Sequence, residues 1–219
     1  IDAAKSLNKK TDNDKFIKLK KKTINLFKKI KVKNIEIKNE NKKYFAPKTI
    51  KELKTIIKKN PESKFLSGGT DLSLEITKAR KEIKKIISLN EIKELDFINN
   101  KKNEIEVGAS TSLLKFEKYI KKYYPDFDSI LKRYGSVQIR NVGTIAGNIA
   151  TASPIGDTLP LLLSLDAKII LDGIKKRELI PLNEFFISYR KTKLKKGQFI
   201  YSIKIPIYKK NIFKAYKIS

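Results

Sequence analysis

Between Arg133 and Asp157 the chain reads RYGSVQIRNVGTIAGNIATASPIGD, and no other stretch constrains the fold as tightly. It carries Gly135, Gly143, Gly147 and Gly156, in a sequence with only 9 glycines. Around them stand small residues: Thr144, Ala146, Ala150, Thr151, Ala152 and Ser153. A segment this poor in bulky side chains is not built to fill a core. It lets the backbone approach something closely, with amide N–H groups and hydroxyls as donors. A diphosphate is the usual guest of such a segment, because several N–H groups can converge on one anion. A plain glycine-rich connector between packed elements is the competing reading.

A second segment has the same grammar. Phe65-Leu66-Ser67-Gly68-Gly69-Thr70-Asp71-Leu72 sets a glycine pair and a hydroxyl directly after a short apolar run. Neither G-x-G-x-x-G nor G-x-x-x-x-G-K-[ST] is present, so the common nucleotide fingerprints do not apply. What remains is a dinucleotide site of another kind, assembled from two separated loops.

F-L-S-G-G-T-D-L followed far downstream by R-N-V-G-T-I-A-G-N-I-A-T-A-S-P-I-G-D resembles the FAD-binding domain of the molybdenum hydroxylases. These are the flavin subunits or domains of xanthine dehydrogenase, aldehyde oxidase and aerobic carbon monoxide dehydrogenase. The resemblance runs from about Tyr44 to the C-terminus. Y-R-K-T at 189–192 and S-I-K-I-P at 202–206 look most like the xanthine dehydrogenase branch.

The resemblance implies an α+β fold of two FAD-binding subdomains, of the type shared with vanillyl-alcohol oxidase (PCMH-like). A small parallel α/β unit would be joined to a larger, mostly antiparallel sheet with helices. It implies one non-covalent FAD and assigns contacts residue by residue. Phe65, Leu66, Ser67, Gly68, Gly69, Thr70, Asp71 and Leu72 fall on the first pyrophosphate loop. Thr144, Ile145, Ala146, Gly147, Asn148 and Thr151 fall on the second, facing the pyrophosphate and the ribityl chain. Leu72 and Ala150 would lie near the isoalloxazine. Asp157 matches an aspartate that binds the adenosine end, and Tyr134 an aromatic that stacks on adenine. Ile200 and Lys217 fall on later adenine or flavin contacts.

Three of these positions have a plain structural reading as well. Asp71 and Asp157 each precede a predicted helix and would serve as its N-cap. A single Tyr at a helix end also packs without binding anything.

The composition limits the chemistry. At 219 residues with 40 % hydrophobic content, the chain can bury about 70 % of its unfolded surface. With no Cys, iron–sulfur ligation by these residues is excluded, and with no His a histidine-based triad is excluded too. No carboxylate pair stands at catalytic spacing, so no catalytic or metal-ligating residue is expected. That suits a flavin protein, where the cofactor carries the electrons and the protein binds and orients it. The implied function is an electron relay within a molybdenum hydroxylase of the xanthine dehydrogenase type. The molybdenum cofactor and 2Fe–2S clusters are expected only on partner chains or missing domains, and NAD or another acceptor takes the electrons. A cytoplasmic location is implied.

Net charge is +27, from 50 Lys+Arg against 23 Asp+Glu. Such a balance suggests nucleic acid or an anionic surface. Yet the lysines are dispersed, only Arg80, Arg133, Arg140, Arg177 and Arg190 are arginines, and Lys, Ile and Asn together are what AT-rich codons supply. A non-enzymatic basic domain on a flavin-type scaffold is the competing function, and it predicts steep salt dependence without a cofactor. A stand-alone flavoprotein of the vanillyl-alcohol oxidase class is a third. It usually needs a dedicated substrate domain, for which this length leaves no room.

In chain order, Ile1–Asn8 reads as a helix end and resembles the tail of the iron–sulfur module that precedes the flavin domain. Residues 9–15 read as a linker. Apolar residues recur at helical spacing from Phe16 to Ile30, giving a basic amphipathic helix. Packing on its own domain is the expectation; docking on a membrane or a partner is the alternative. Thr49-x-x-Glu52 is a capping box for a helix over 50–58. Strands are predicted at 64–67 and 85–88, with a short helix over 72–78 between them. A hairpin (95–98 with 104–108) and helices over 112–123 and 126–134 follow. After Asp157 come an apolar helix over 158–165 and strands at 167–171, 178–181, 199–207 and 212–218. The expected division is 1–43 (module tail and linker), 44–95 (first FAD subdomain) and 96–219 (second). A further C-terminal family domain is absent from this sequence.

Overall fold

The structure, a computed structural model, describes residues 15–30, 34–208 and 212–218. The reading of residues 1–8 lies outside them. Residues 1–33 form one unit and residues 34–219 another.

In the first unit, α1 (Lys15–Lys29) forms where apolar positions recur every three or four residues. Among its described residues Leu19, Ile24, Leu26 and Phe27 are all exposed.

The second unit opens with a hairpin, β1 (Ile35–Asn39) and β2 (Lys42–Ala46), neither strand of which the sequence reading gave. α2 (Ile50–Lys59) starts at the capping box as read: the Thr49 hydroxyl accepts from the Glu52 N–H, and Glu52 Oε2 accepts from the Thr49 N–H. β3 (Lys64–Leu66), α3 (Leu72–Thr77) and β4 (Lys85–Ser88) complete a four-stranded sheet in the order β1-β2-β4-β3. β2, β4 and β3 run parallel, and only the β1 edge is antiparallel. Phe45, Leu53, Ile57 and Ile87 form the core between this sheet and α2.

The larger sheet takes β5 (Ile98–Lys101), β6 (Glu104–Gly108), β7 (Lys168–Asp172), β8 (Glu178–Pro181) and β11 (Phe199–Pro206) in the order β5-β6-β11-β7-β8. Every neighbouring pair is antiparallel. The hairpin turn falls at Lys102–Asn103, and its first strand lies three residues later than the sequence suggested. A small antiparallel pair, β9 (Phe186–Ser188) and β10 (Lys191–Thr192), stands apart.

Six helices accompany this sheet: α4 (Leu113–Ile120), α5 (Pro125–Lys132), α6 (Val137–Val142), α7 (Ile145–Thr151) and α8 (Thr158–Ser164) follow one another, and α2 reaches it from the first sheet. Phe116, Phe127, Ile145, Leu162 and Ile203 are fully buried in the core they share. Phe199 at the start of β11 packs instead into the first core, its ring 6.0 Å from Phe65. Phe199 thus links the two sheets, with Tyr201 of the same strand packed beside that core as well.

The predicted strand over 212–218 is absent. Its alternation is real: Phe213, Ala215 and Lys217 turn inward while Ile212, Tyr216 and Ile218 are exposed. The segment lies against helices rather than beside a strand. Phe213 meets the Tyr124 and Phe127 rings at 5.2 and 6.4 Å, and the Ala215 N–H donates to Asp126 Oδ2. Period-two alternation reports an extended, half-buried segment; it does not name the neighbour.

Candidate functional site

The first glycine loop leaves the end of β3, and it is shaped by contact with the second. A Cβ built on Gly68 would lie 2.2 Å from the Val142 carbonyl oxygen and 2.6 Å from Gly143 Cα. Gly68 is therefore required for one backbone to pass against the other, whatever the site binds. Gly69 has φ +72°, a conformation that side chains disfavour. The Thr70 hydroxyl sits beside Gly143, so the two segments meet along a seam carrying Thr70 and Thr144.

The second segment is not an open loop. α6 and α7 flank Gly143, and residues 145–151, expected as loop, are helical. Thr144 explains this: its hydroxyl accepts from the Gly147 N–H at 3.0 Å and caps the helix. Ala146 and Ala150 are good helix formers, and Ala152 closes the helix with φ +44°. Thr151, expected to face a ribityl chain, donates its hydroxyl to the Asn148 carbonyl of its own helix. The N–H groups of Ile145 and Ala146 fall in the first turn, where no intrahelical acceptor exists. A Cβ on Gly147 would lie 3.0 Å from the Thr144 hydroxyl, a tight contact with a side chain rather than with backbone.

A polar cluster adjoins α7. Asn148 donates from Nδ2 to the Tyr134 hydroxyl at 3.0 Å and accepts at Oδ1 from the Thr158 hydroxyl. Lys217 Nζ lies 2.7 Å from Asp157 Oδ2, and Arg133 donates to the Lys217 carbonyl. Tyr134, Asn148, Asp157 and Lys217, scattered over the sequence, are brought into one neighbourhood. Burial pushes the Tyr134 phenol above its usual range, and the negative charges of Asp157 and Asp71 add to the effect. The hydroxyl therefore stays protonated and keeps one hydrogen to donate.

Neither aspartate caps a helix. Asp71 and Asp157 occupy the N-cap positions of α3 and α8, but both have αR backbone angles and no side-chain capping bond. Each turns to a cation instead: Asp71 to Arg190 at 3.8 Å, Asp157 to Lys217. This pairing offsets the repulsion two bare carboxylates would exert on a phosphate nearby.

Other expected contact residues divide by burial. Ile145 is fully buried, Ala146 and Ile200 nearly so, and all three belong to the larger core. Ile200 shares that core with Ile145 and Ala146 of the second glycine segment, one residue before a bulge at Tyr201. Phe65 is half-buried and packs on the smaller core; Leu66 and Leu72 are half-buried, and Ala150 is exposed.

Sequence reasoning missed two supports of the site. Arg140 is 6 % exposed and pairs with Glu117 at 2.9 Å. Its other nitrogen donates to the Tyr134 and Gly135 carbonyls at 3.1 and 2.9 Å, fixing the turn that presents Tyr134. The second is Asp172, whose buried carboxylate takes Lys54 from α2 and Arg177 from the β7–β8 connection. Arg177 in turn lies 3.6 Å over the Tyr201 ring. An arginine inside an otherwise small, neutral stretch was the available signal for the first; nothing in the sequence flagged the second.

A polar groove of about 410 Å³ opens beside the seam, lined by Gly68, Asn90, Ser110, Lys115, Asn141 and Thr144 among others. No cluster of acidic side chains that could hold a metal occurs among the described residues. The residues do fit a dinucleotide. Ser67 Oγ is buried without a partner at the head of the first loop, an orphaned donor of the kind a ligand satisfies. Small residues, first-turn N–H groups and the Thr70 and Thr144 hydroxyls supply the rest of a cradle.

Residues 33–208 match the family model described as the FAD binding domain in molybdopterin dehydrogenase. The nicotinate dehydrogenase FAD-subunit of Eubacterium barkeri is 33 % identical over 147 residues, covering 65 % of this chain and 50 % of that protein. Xanthine dehydrogenase of Blastobotrys adeninivorans is 35 % identical over 196 residues, covering 82 % of this chain and 14 % of its own length. Carbon monoxide dehydrogenase from Hydrogenophaga pseudoflava has the same fold, with a TM-score of 0.73 at 25 % identity over 80 % of this chain and 62 % of the other. The chain therefore spans half or less of those two sequence relatives. The competing reading as a basic binding module finds no support in these matches. With the family match running over residues 33–208 and a relative 35 % identical over 82 % of this chain, the chain belongs to the family of FAD-binding domains of molybdopterin dehydrogenases.

Proposed function

We propose that this chain is the FAD-holding electron relay of a molybdenum hydroxylase, an oxidoreductase component that binds one FAD non-covalently. The observation that carries it is the seam itself. Two glycine segments, far apart in sequence, pass within van der Waals contact, with the Thr70 hydroxyl beside Gly143 and an orphaned Ser67 donor at the head of the first segment. The absence of Cys and His leaves neither of the usual side chains for a covalent flavin link.

In this reading, Ser67 and Thr70 donate to one side of the pyrophosphate and Thr144 with the first turn of α7 to the other. Tyr134 offers its ring and its remaining hydroxyl hydrogen to the adenosine end. Asp157, oriented by Lys217, accepts there from a ribose hydroxyl. The carboxylates of Asp71 and Asp157 keep their cations, so the site carries little net charge beside the diphosphate. Bound flavin would supply the redox chemistry, taking electrons in and giving them out. None of the protein's own side chains is required as acid or base. Substrate oxidation falls to a molybdenum-bearing partner, iron–sulfur clusters on another chain or domain deliver the electrons, and NAD or another soluble acceptor removes them.

Heat release of the flavin from purified protein, followed by chromatography, tests the proposal: FAD is expected. Recovery of FMN, retention of covalent flavin, or no flavin after FAD supplementation would refute it. With FAD bound, NADH plus a dye acceptor tests the nicotinamide step, and xanthine- or aldehyde-type substrates should give no turnover on this chain alone.

A further inference from the structure

Helix α1 has no role in that relay, and its surface has a distinct chemistry. Its sequence, KFIKLKKKTINLFKK, holds seven lysines and no acidic residue. Its apolar residues fall on one side, and among the described ones Leu19, Leu26, Phe27 and Ile30 are 51 %, 57 %, 66 % and 59 % exposed. Two kinds of surface could cover such a face: an apolar protein groove with an acidic rim, or the interface of an anionic bilayer.

Lys20 separates the two. On a helix the neighbours of a residue lie three and four positions away. For Lys20 those positions are Phe16, Ile17, Thr23 and Ile24, so the ammonium group rises from within the apolar side. A protein groove closing over this face would strip water from an unpaired lysine, since α1 offers no carboxylate to pair with it. At a bilayer surface the same side chain lies along the apolar face and extends its charge to the phosphate layer. Phe27, near the C-terminal end, then reaches the acyl boundary, and the remaining lysines face lipid phosphates.

We infer that α1 lies in the surface of an anionic lipid bilayer, its apolar side seated among the acyl chains and its lysines among the headgroups, so that the flavin unit is held at a membrane. The inference does not depend on the flavin assignment. The substitutions that test it all fall in the unit formed by residues 1–33.

Flotation of the 219-residue chain with vesicles tests it, using phosphatidylcholine alone and phosphatidylcholine with about one-third phosphatidylglycerol. Binding to the anionic vesicles only is expected. The double variant L19S/F27S should weaken that binding at least about tenfold, since each loses the burial of a large apolar side chain. Lys20→Glu should weaken it as well. The chain contains no tryptophan, so Phe27→Trp adds a background-free reporter whose emission should shift to the blue on anionic vesicles. Absence of binding, equal binding by L19S/F27S, or an unshifted emission spectrum from the vesicle-bound Phe27→Trp variant would overturn the inference. Equal binding by L19S/F27S would assign the attraction to lysines elsewhere on the chain. A one-to-one complex with an iron–sulfur or molybdenum partner, without vesicle binding, would assign the face to protein.

Discussion

Lys217 Nζ sits 2.7 Å from Asp157 Oδ2, joining the C-terminal segment to the start of α8 across 60 residues of sequence. The same lysine gives its backbone carbonyl to Arg133, so the segment is held on both sides of the Tyr134 turn. Lys217→Met should leave the far-UV circular dichroism unchanged and lower FAD affinity about tenfold, the loss expected for one charge-assisted hydrogen bond that orients a ligand group. Flavin fluorescence titration measures it. Unchanged affinity would confine the pair to a structural role.

The two glycine segments should respond differently to one methyl group. At Gly68 the new Cβ meets backbone at 2.2 Å, so Gly68→Ala should destabilise the flavin-free protein by about 3 kcal/mol, near the upper end for overpacking. At Gly147 the only close atom is the Thr144 hydroxyl at 3.0 Å. Gly147→Ala, which asks only that side chain to give, should move the urea midpoint far less than Gly68→Ala while weakening FAD binding. Equal stability losses in both variants would count against this division.

Asp172 should set an acid limit to stability. Burial opposes its ionisation, but hydrogen bonds from Lys54, Arg177 and the Gly173 N–H outweigh it and hold the carboxyl below the usual range. Its ionised form therefore stabilises the fold above the unfolded value of about 3.9. That contribution is lost as pH falls from there through the lower folded value. Asp172→Asn should cost about 1.5–3 kcal/mol at neutral pH, the range for hydrogen bonds to a charged group. The variant should also flatten the dependence of the urea midpoint on pH below about 4.

Arg140 gives a sharper stability test, because both partners of its ion pair are nearly buried. Arg140→Met leaves the Glu117 carboxylate uncompensated, at a cost of about 3–5 kcal/mol. Arg140→Met combined with Glu117→Gln should recover part of that loss. A double variant no more stable than Arg140→Met would show that the Tyr134 and Gly135 carbonyl bonds dominate.

The sequence by itself determined the elements whose signals are local. The Thr49–Glu52 capping box, the strands at 85–88 and 178–181, and the two glycine segments are decided by neighbours in the chain. The resemblance then gave family and fold, since long motifs in order survive where single contacts do not. Tertiary structure decided the rest. Small residues between Gly143 and Ala152 read as loop, and the Thr144 cap made them helix. Asp71 and Asp157 looked like caps until Arg190 and Lys217, distant in sequence, came within reach. The alternation at 212–218 was correct, but only packing against α5 showed that no strand lies beside it. The role of Gly68 followed the same rule. Its need for a missing side chain comes from Val142, 74 positions away, a contact no local pattern encodes.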